Sequence, residues 1–285
     1  MTSLPYQIVD VFTDRPFTGN PLAVVFQAES LATEQMQTLA REFHLSETVF
    51  VLPPTQPGAT YRARIFTPEV ELPFAGHPSV GAAVTVVRRG LAGPGEVVQE
   101  CGAGLLPVVV SGDTGRLTGG TPTVGPELDP APLLVTAGLT DADFAGPAPR
   151  EAGCGLSFPY LSVVPDAVAR AAGNPMTGVP MVTVFAWDAD TRVAHTRVFC
   201  PGAGVPEDPA TGSSALGFGV WLVASGLLPG DGEAHYTVRQ GTEIHRPSVL
   251  ECTVTATAGA AVSATVTGHA VPIAHGEIGV PPFVG

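Results

Sequence analysis

The sequence contains no lysine, and all thirteen basic residues among its 285 residues are arginine. Without lysine, the chain cannot form the Schiff base of pyridoxal phosphate or aldol chemistry. It also cannot supply the lysine of a P-loop or of a protein kinase. Any side chain that carries a proton in an active site must therefore be Glu, Asp, His, Tyr or Cys.

Positive charge is scarce as well. The 26 acidic residues outnumber the arginines and give a formal net charge of −13, which repels a phosphate backbone. We therefore expect no nucleic-acid partner. The apolar fraction of 45% and the charged fraction of 14% favour a compact fold with a large core.

Cysteine occurs only four times, at scattered positions without a CxxC pair or the spacing of a small secreted domain. No signal peptide precedes the first strand-like run, so we expect a reduced, cytoplasmic protein. The longest uncharged stretch, 209–230, contains polar residues and internal glycines, which favours a buried helix over a membrane span. No contact with a membrane is expected.

Short runs rich in valine and threonine, separated by glycine and proline, predict a fold dominated by strands. These runs lie at 7–12, 23–26, 48–52, 63–66 and 249–256. Residues 30–43 have the apolar spacing of an amphipathic helix, with Ser30 as the predicted N-cap.

Two further predicted helices, at 78–89 and 209–225, have no polar face, and a glycine follows each as the C′ residue. Such helices must be enclosed. We therefore predict an α+β fold of two similar domains. Each domain is a central apolar helix wrapped by a curved, mostly antiparallel β-sheet.

An internal repeat supports two similar domains. Residues 64–68 (RIFTP) lead into 76–79 (GHPS), and residues 197–201 (RVFCP) lead into 207–213 (EDPATGS). Both copies predict a strand, a loop, and a polar residue before a helix-opening proline. We predict a first domain at residues 1–125 and a second at residues 126–285. The last strand of the chain can pair with the first domain.

The polar residues at the two predicted helix starts are His77 and Asp208, which are expected at the N-cap positions. If the domains face each other, both helix dipoles point into one cleft, where they can hold a substrate carboxylate. Gly212 permits close approach of the backbone, and Ser213 adds a hydroxyl. Asp-Pro is also an ordinary structural helix start, whereas His is a poor N-cap.

Glu47 is the candidate acid/base. Strand alternation places it on the same face as Val49 and Val51. The other face carries Phe50 and Leu52, so both faces are expected to be buried. Burial raises the pKa of a carboxyl group toward neutrality, as a general acid/base requires. The alternative is that Glu47 only begins the strand at a solvated end.

Four motifs lie along nearly the whole chain, at residues 10–24, 46–48 (SET), 74–78 (FAGHP) and 207–213. Together they resemble the PhzF-like (phenazine biosynthesis) family, which has the duplicated diaminopimelate epimerase-like fold. The resemblance implies a cofactor-independent isomerase, in which a Glu moves a proton between carbons of a small carboxylic acid. It also implies a homodimer.

Carried over by position, the resemblance implies catalytic roles for Glu47, His77 and Asp208. It implies a substrate-binding site made of Asn20, Gly76, Gly212 and Ser213. For Asn20, which lies in a Gly-Asn-Pro motif, a role in capping a turn is the alternative. His245 stands where the family usually has glycine, which leaves the substrate contacts there open.

Other chemistries are weaker readings of the sequence. Racemases of this fold use two thiols at the helix starts, and neither start has a cysteine here. The histidines show no metal-ligand spacing, so no metal is expected. A non-catalytic ligand-binding or interaction protein on the same fold is the alternative function, and the substrate itself cannot be read from the sequence.

Overall fold

A computed structural model of the chain describes residues 3–203 and 205–282. It divides into two compact units. The first unit comprises Met1–Leu117 and Thr267–Gly285, and the second comprises Thr118–Val266. The last strand therefore begins in the second unit and continues into the first. The predicted boundary after residue 125 falls inside a strand of the second unit.

The first unit is built mainly of strands. They are β1 (Ser3–Val11), β2 (Asn20–Phe26), β3 (Glu47–Leu52), β4 (Tyr61–Phe66), β5 (Glu71–Leu72), β6 (Gly95–Cys101), β7 (Gly104–Ser111) and β8 (Thr114–Thr118). Its helices are α1 (Thr33–Phe43) and α2 (Gly76–Arg88).

The second unit has a similar composition. Its strands are β9 (Pro122–Glu127), β10 (Arg150–Cys154), β11 (Leu156–Ser162), β12 (Val182–Asp188), β13 (Val193–Cys200), β14 (Val205–Asp208), β15 (Gly232–Gln240), β16 (Ser248–Thr257) and the shared β17 (Ala260–Gly279). Its helices are α3 (Pro130–Thr136), α4 (Pro165–Arg170) and α5 (Gly212–Ala224). All five predicted strand runs fall on strands.

Both units pair their strands in the same order, as mixed sheets. β1 and β2 are antiparallel, β2 and β3 parallel, and β3 and β4 antiparallel. β4 then runs antiparallel to β5 and parallel to β6, which is antiparallel to β7. The second unit repeats each of these pairings from β10 to β16. The repeat in the sequence therefore corresponds to a repeat of strand pairing.

A bidentate ion pair occurs at the same place in both units. Arg64 donates to the Glu71 carboxylate through Nε at 2.7 Å and Nη2 at 2.5 Å. Arg197 donates to Glu207 through the same atoms at 2.9 and 2.5 Å. Each pair joins a long strand to the short strand after it, β4 to β5 and β13 to β14. Because the short strands lead into α2 and α5, the same contact helps to position both helix starts.

The two apolar helices are buried along most of their length. α2 contacts β1 to β4, β6 and β7, whereas α5 contacts β9 to β11 and β16. Both end as predicted, with Gly90 at φ +72° and Gly226 at φ +71°. The glycine N–H groups donate to the carbonyls of Val87 and Val223, as in a Schellman motif. In the described part of the chain, no helix is long and apolar enough to cross a bilayer.

The start of α2 differs from the prediction. The helix begins at Gly76 with Ala75 as its N-cap, so the predicted N-cap position of His77 is wrong. His77 is the second helical residue and Pro78 the third. The N–H groups of the first turn have no acceptor inside a helix, so a proline is tolerated at any of these positions. Pro78 therefore marks the first turn without fixing the first residue.

The start of α5 also differs, because the helix begins at Gly212 with Thr211 as its N-cap. Asp208, the predicted N-cap, is instead the last residue of β14. Gln240 holds the intervening segment extended, since its amide donates to the Asp208 carbonyl at 2.7 Å and accepts from the Thr211 N–H at 3.2 Å. A side chain distant in sequence thus delays the helix by three residues relative to Pro209.

Helix α1 is amphipathic as predicted, but it begins at Thr33. Ser30 is not its N-cap, because the Gln35 side chain accepts the N–H of Ala32 at 3.0 Å and closes the first turn. The buried residues of α1 pack on one side of β1 to β4, against Leu4, Val25, Phe50, Leu52 and Phe66.

The opposite side of these strands faces α2. A Cβ built on Gly81 of α2 lies only 2.7 Å from the side chains of Val11 and Leu22, so the helix approaches β1 and β2 very closely. Strands β2 and β3 are thus covered on both faces, and every residue of β3 after Glu47 is buried.

Replacing Gly217 with alanine is expected to destabilise the second unit. A Cβ there would lie 2.5 Å from the Tyr160 hydroxyl and 2.7 Å from the Ala152 carbonyl. That hydroxyl donates to the carbonyl of Ser214 at 2.6 Å and cannot move without losing the bond. We expect overpacking to lower the free energy of unfolding by about 1–3 kcal/mol. Urea denaturation measures this change. Gly93→Ala, whose Cβ meets no atom within 4 Å, is the control, and equal effects would contradict this prediction.

Candidate active site

Glu47 is the first residue of β3, in parallel register with Leu22 of β2. Alternation along β3 turns Glu47 and Val49 away from α1 and toward the side covered by α2. Only 17% of the Glu47 side chain is exposed. The residue does begin its strand, but not at a solvated end.

Burial raises the pKa of Glu47 to about 7, and the adjacent Ser46 side chain only partly offsets this effect. Among the described residues, none donates a hydrogen bond to Oε2 of Glu47. A carboxyl group in this state is present in both protonation forms near neutral pH. It can therefore accept and return a proton, which is what a general acid/base does.

His77 lies beside Glu47, with its Nε2 atom 3.6 Å from Oε2 of the carboxylate. The other ring nitrogen, Nδ1, is 3.2 Å from Nδ2 of Asn20. Helix and strand periodicity explain this placement. His77 is one turn before Gly81, and Asn20 is two residues before Leu22, so both pairs lie on facing surfaces. The contact of Gly81 with Leu22 thus brings His77 onto Asn20.

Asn20 has no exposed surface. Its Oδ1 atom accepts a hydrogen bond from the Ser46 hydroxyl at 3.2 Å. The residue before it, Gly19, has φ +70°, and a Cβ there would lie 2.5 Å from both Thr13 and the Val11 carbonyl. Glycine is therefore required to bring Asn20 to this position.

Gly76 and His77 form the first turn of α2, and both are buried. Their N–H groups do not take part in the hydrogen-bond ladder of the helix, and Pro78 has no N–H at all. The positive end of the helix dipole thus lies next to Glu47 and His77.

The second unit contains the remaining predicted site residues. The Thr211 hydroxyl donates to Oδ2 of Asp208 at 2.6 Å, and Gln240 donates to the Thr211 hydroxyl at 3.0 Å. Asp208 is half-buried. Gly212 and Ser213 begin α5, and the Ser213 side chain is partly exposed.

His245 lies in the turn after β15 and has φ +59°, a conformation that glycine adopts more readily. The N–H groups of this turn donate back along it, from His245 to Thr242 and from Arg246 to Gly241. A glycine at this position, as the resemblance implies for the family, would adopt this backbone conformation more readily. The side chain of His245 is exposed, and its backbone adopts the turn conformation although the residue is not glycine.

The predicted residues form two clusters, one in each unit: Asn20, Glu47, Gly76 and His77 in the first, and Asp208, Gly212 and Ser213 in the second. Sequence reasoning missed two members. Ser46 orients Asn20, and its only signal was its place before Glu47 in the SET motif. Gln240 organises Asp208 and Thr211, and its only signal in the sequence was a polar residue directly before Gly241.

Comparison with known proteins gives a consistent picture. The profile of the PhzC-PhzF family, described as phenazine biosynthesis-like protein, matches residues 9–132 and 160–276. An uncharacterised isomerase of Mesorhizobium japonicum is 35% identical, over 98% of this chain and 99% of that protein. The trans-2,3-dihydro-3-hydroxyanthranilate isomerase of Pseudomonas aeruginosa is 34% identical, over 95% of this chain and 98% of that enzyme.

Solved structures agree with these relatives. A Bacillus anthracis phenazine biosynthesis protein of the PhzF family superposes with a TM-score of 0.89 and 26% identity, over 98% of this chain and all of that one. A probable proline racemase from Agrobacterium radiobacter has a TM-score of 0.65 over 99% of this chain and 94% of that one. At 17% identity, the latter likeness is one of fold alone.

Proposed function

The chain belongs to the phenazine biosynthesis-like protein family and is an isomerase, and from that premise we propose that it moves a proton between two carbons of a small carboxylic acid. Glu47 is the acid/base. The observation that supports this role most directly is a nearly buried carboxyl group with a pKa of about 7, beside the ring of His77.

The proposed reaction conserves all atoms and needs no oxidant. The ionised Glu47 removes a proton from carbon, the double bond shifts, and the protonated Glu47 returns the proton to another carbon. We expect the substrate carboxylate to bind near Gly76, because the positive end of the α2 dipole attracts an anion. His77 contacts the carboxyl group that does the chemistry, which supports its predicted catalytic role.

The parts of the prediction that concern the second unit remain predictions. They assign a catalytic role to Asp208 and substrate binding to Gly212 and Ser213. The start of α5, which has the same first-turn chemistry as the start of α2, supports binding of an anion there. Asp208→Asn, which keeps the size and removes the charge, tests the catalytic part through its effect on kcat.

We also propose the finer features that the family resemblance implies. In each unit, the buried apolar helix is enclosed by its own sheet, as the contacts of α2 and α5 with many strands support. The protein is expected to be cytoplasmic and to form a homodimer. Analytical ultracentrifugation of the purified chain tests the homodimer. The reaction needs no cofactor, so conversion is expected to persist after desalting and chelation.

Deuterium incorporation tests the proposed function. The purified protein is incubated in deuterium oxide with trans-2,3-dihydro-3-hydroxyanthranilate and with a panel of small unsaturated carboxylic acids. We expect at least one acid to be isomerised and to carry deuterium at the newly protonated carbon, as seen by NMR and mass spectrometry. Glu47 exchanges its proton with solvent between steps, which introduces the label.

Binding of these acids without conversion or carbon–deuterium exchange across the panel would contradict the proposal. That outcome would favour a protein that only binds ligands. Boiled protein and buffer alone provide the background rate of exchange.

A further inference from the structure

The ring of His77 is contacted at both nitrogens, by Asn20 at Nδ1 and by Glu47 at Nε2, at 3.2 and 3.6 Å. A neutral imidazole has one N–H group, and its partners decide which nitrogen holds the proton. The site therefore contains a choice between two tautomers. Only one of them directs an N–H group at the Glu47 carboxylate.

The orientation of the Asn20 amide selects between them. Its oxygen accepts from the Ser46 hydroxyl, so its nitrogen is the end that faces the ring. An amide nitrogen only donates, and Nδ1 of His77 must therefore accept. The ring proton is then on Nε2.

A second observation agrees with this choice. With the proton on Nε2, an N–H group lies 3.6 Å from Oε2 of Glu47, which is favourable when that carboxyl group is ionised. With the proton on Nδ1, two lone pairs would face each other across the same gap. The doubly protonated ring is disfavoured as well, because it would place an N–H group against the Asn20 amino group.

We propose that Asn20, oriented by Ser46, is a positioning residue that keeps His77 neutral with its proton on Nε2, directed at Glu47. This inference rests on the proposed acid/base role of Glu47, and it differs from the predicted role of Asn20 in binding substrate. Full burial of Asn20 supports a role that acts through His77. A neutral neighbour also leaves the Glu47 carboxyl group without a fixed counter-charge, so that it can change protonation during turnover.

The proton can be located directly. We would record long-range ¹H–¹⁵N correlation spectra of the uniformly ¹⁵N-labelled full chain near neutral pH, without substrate. The signals of His77 are assigned among the seven histidines by their loss in His77→Gln. The wild type is expected to show an unprotonated Nδ1 and a protonated Nε2. A wild-type His77 ring with its proton on Nδ1 overturns the inference, whatever the Asn20 variant does.

Asn20→Asp tests the cause. Aspartate has the same shape, but its oxygens only accept, so we expect a proton to appear on Nδ1 of His77. The other asparagine, Asn174, accepts the N–H of Met176 through Oδ1 and offers a matched control, because a carboxylate can accept in the same way. Asn174→Asp is expected to leave the His77 signals unchanged. An unchanged ring in a folded Asn20→Asp variant would contradict the role of Asn20.

Activity separates this inference from the proposed function. With an accepted substrate, Asn20→Asp is expected to lower kcat at least about tenfold, with a smaller change in KM. An unchanged kcat in a variant whose ring proton has moved would show that the tautomer is irrelevant to turnover. If Glu47→Gln keeps full activity while the wild-type tautomer is as inferred, the proposed function fails instead.

Discussion

Glu47→Gln is expected to lower kcat/KM by roughly 10²–10⁴-fold, the usual contribution of a general acid/base. Glutamine keeps the size of the side chain and can still contact His77, but it cannot take a proton from carbon. The loss should therefore appear in kcat more than in KM. Initial rates on an acid that the wild type isomerises measure both quantities.

The matched control is Glu69→Gln, the same substitution at an exposed position of the same unit. It is expected to leave kcat and KM unchanged. Circular dichroism establishes that the Glu47→Gln variant is folded. Binding of a carboxylate inhibitor establishes that its active site still takes up a ligand. Full activity in that folded variant would exclude Glu47 as the acid/base, and the proposed reaction would need another proton carrier.

The strands and the apolar helices could be predicted from the sequence because their signals are local. Valine-rich runs between glycine and proline locate β1 to β4, and the glycines at 90 and 226 mark both helix ends. The helix starts could not be located in the same way. Asp208 is an excellent N-cap by type, but Gln240, more than thirty residues later, holds the segment after it extended. The decisive hydrogen bonds there are long-range.

The candidate site was predictable where a residue's type conflicts with its surroundings. A glutamate at the start of an apolar strand indicates a perturbed carboxyl group, and the Glu47 side chain is only 17% exposed, in agreement with that argument. The role of Asn20 was not predictable, because it depends on the contact of Gly81 with Leu22 that brings His77 within reach. Ser46 was missed for the same reason, since its acceptor comes from another strand.

The internal repeat was visible in the sequence, but its ion pairs were not. The Arg-x-Phe-x-Pro motif indicated two related units. The paired strands and the ion pairs of Arg64 and Arg197 give that motif a physical role, because each pair ties down the segment that leads to a buried helix. The sequence alone did not reveal the glutamate partners, Glu71 and Glu207, because they come from strands of only two and four residues.

Glu47→Gln should also stabilise the folded protein at high pH, at the expense of the proposed activity. The pKa of Glu47 is about 7 when folded and about 4.5 when exposed in the unfolded chain. Between these values the unfolded state releases a proton that the folded state keeps, so the wild type loses stability as the pH rises through 7. The loss from this one group amounts to at most about 3 kcal/mol. Glutamine does not titrate, so the variant lacks this loss.

Urea denaturation of both proteins at pH 5 and pH 8 measures the effect, because titrating groups that do not contact Glu47 are common to both proteins and cancel in the difference. The gain from Glu47→Gln is expected to be larger at pH 8 than at pH 5, and Glu69→Gln should show no such dependence. A gain that is equal at both pH values would mean that Glu47 ionises as easily in the folded protein as in the unfolded chain. The carboxyl group would then lack the raised pKa on which its proposed role as a proton carrier depends.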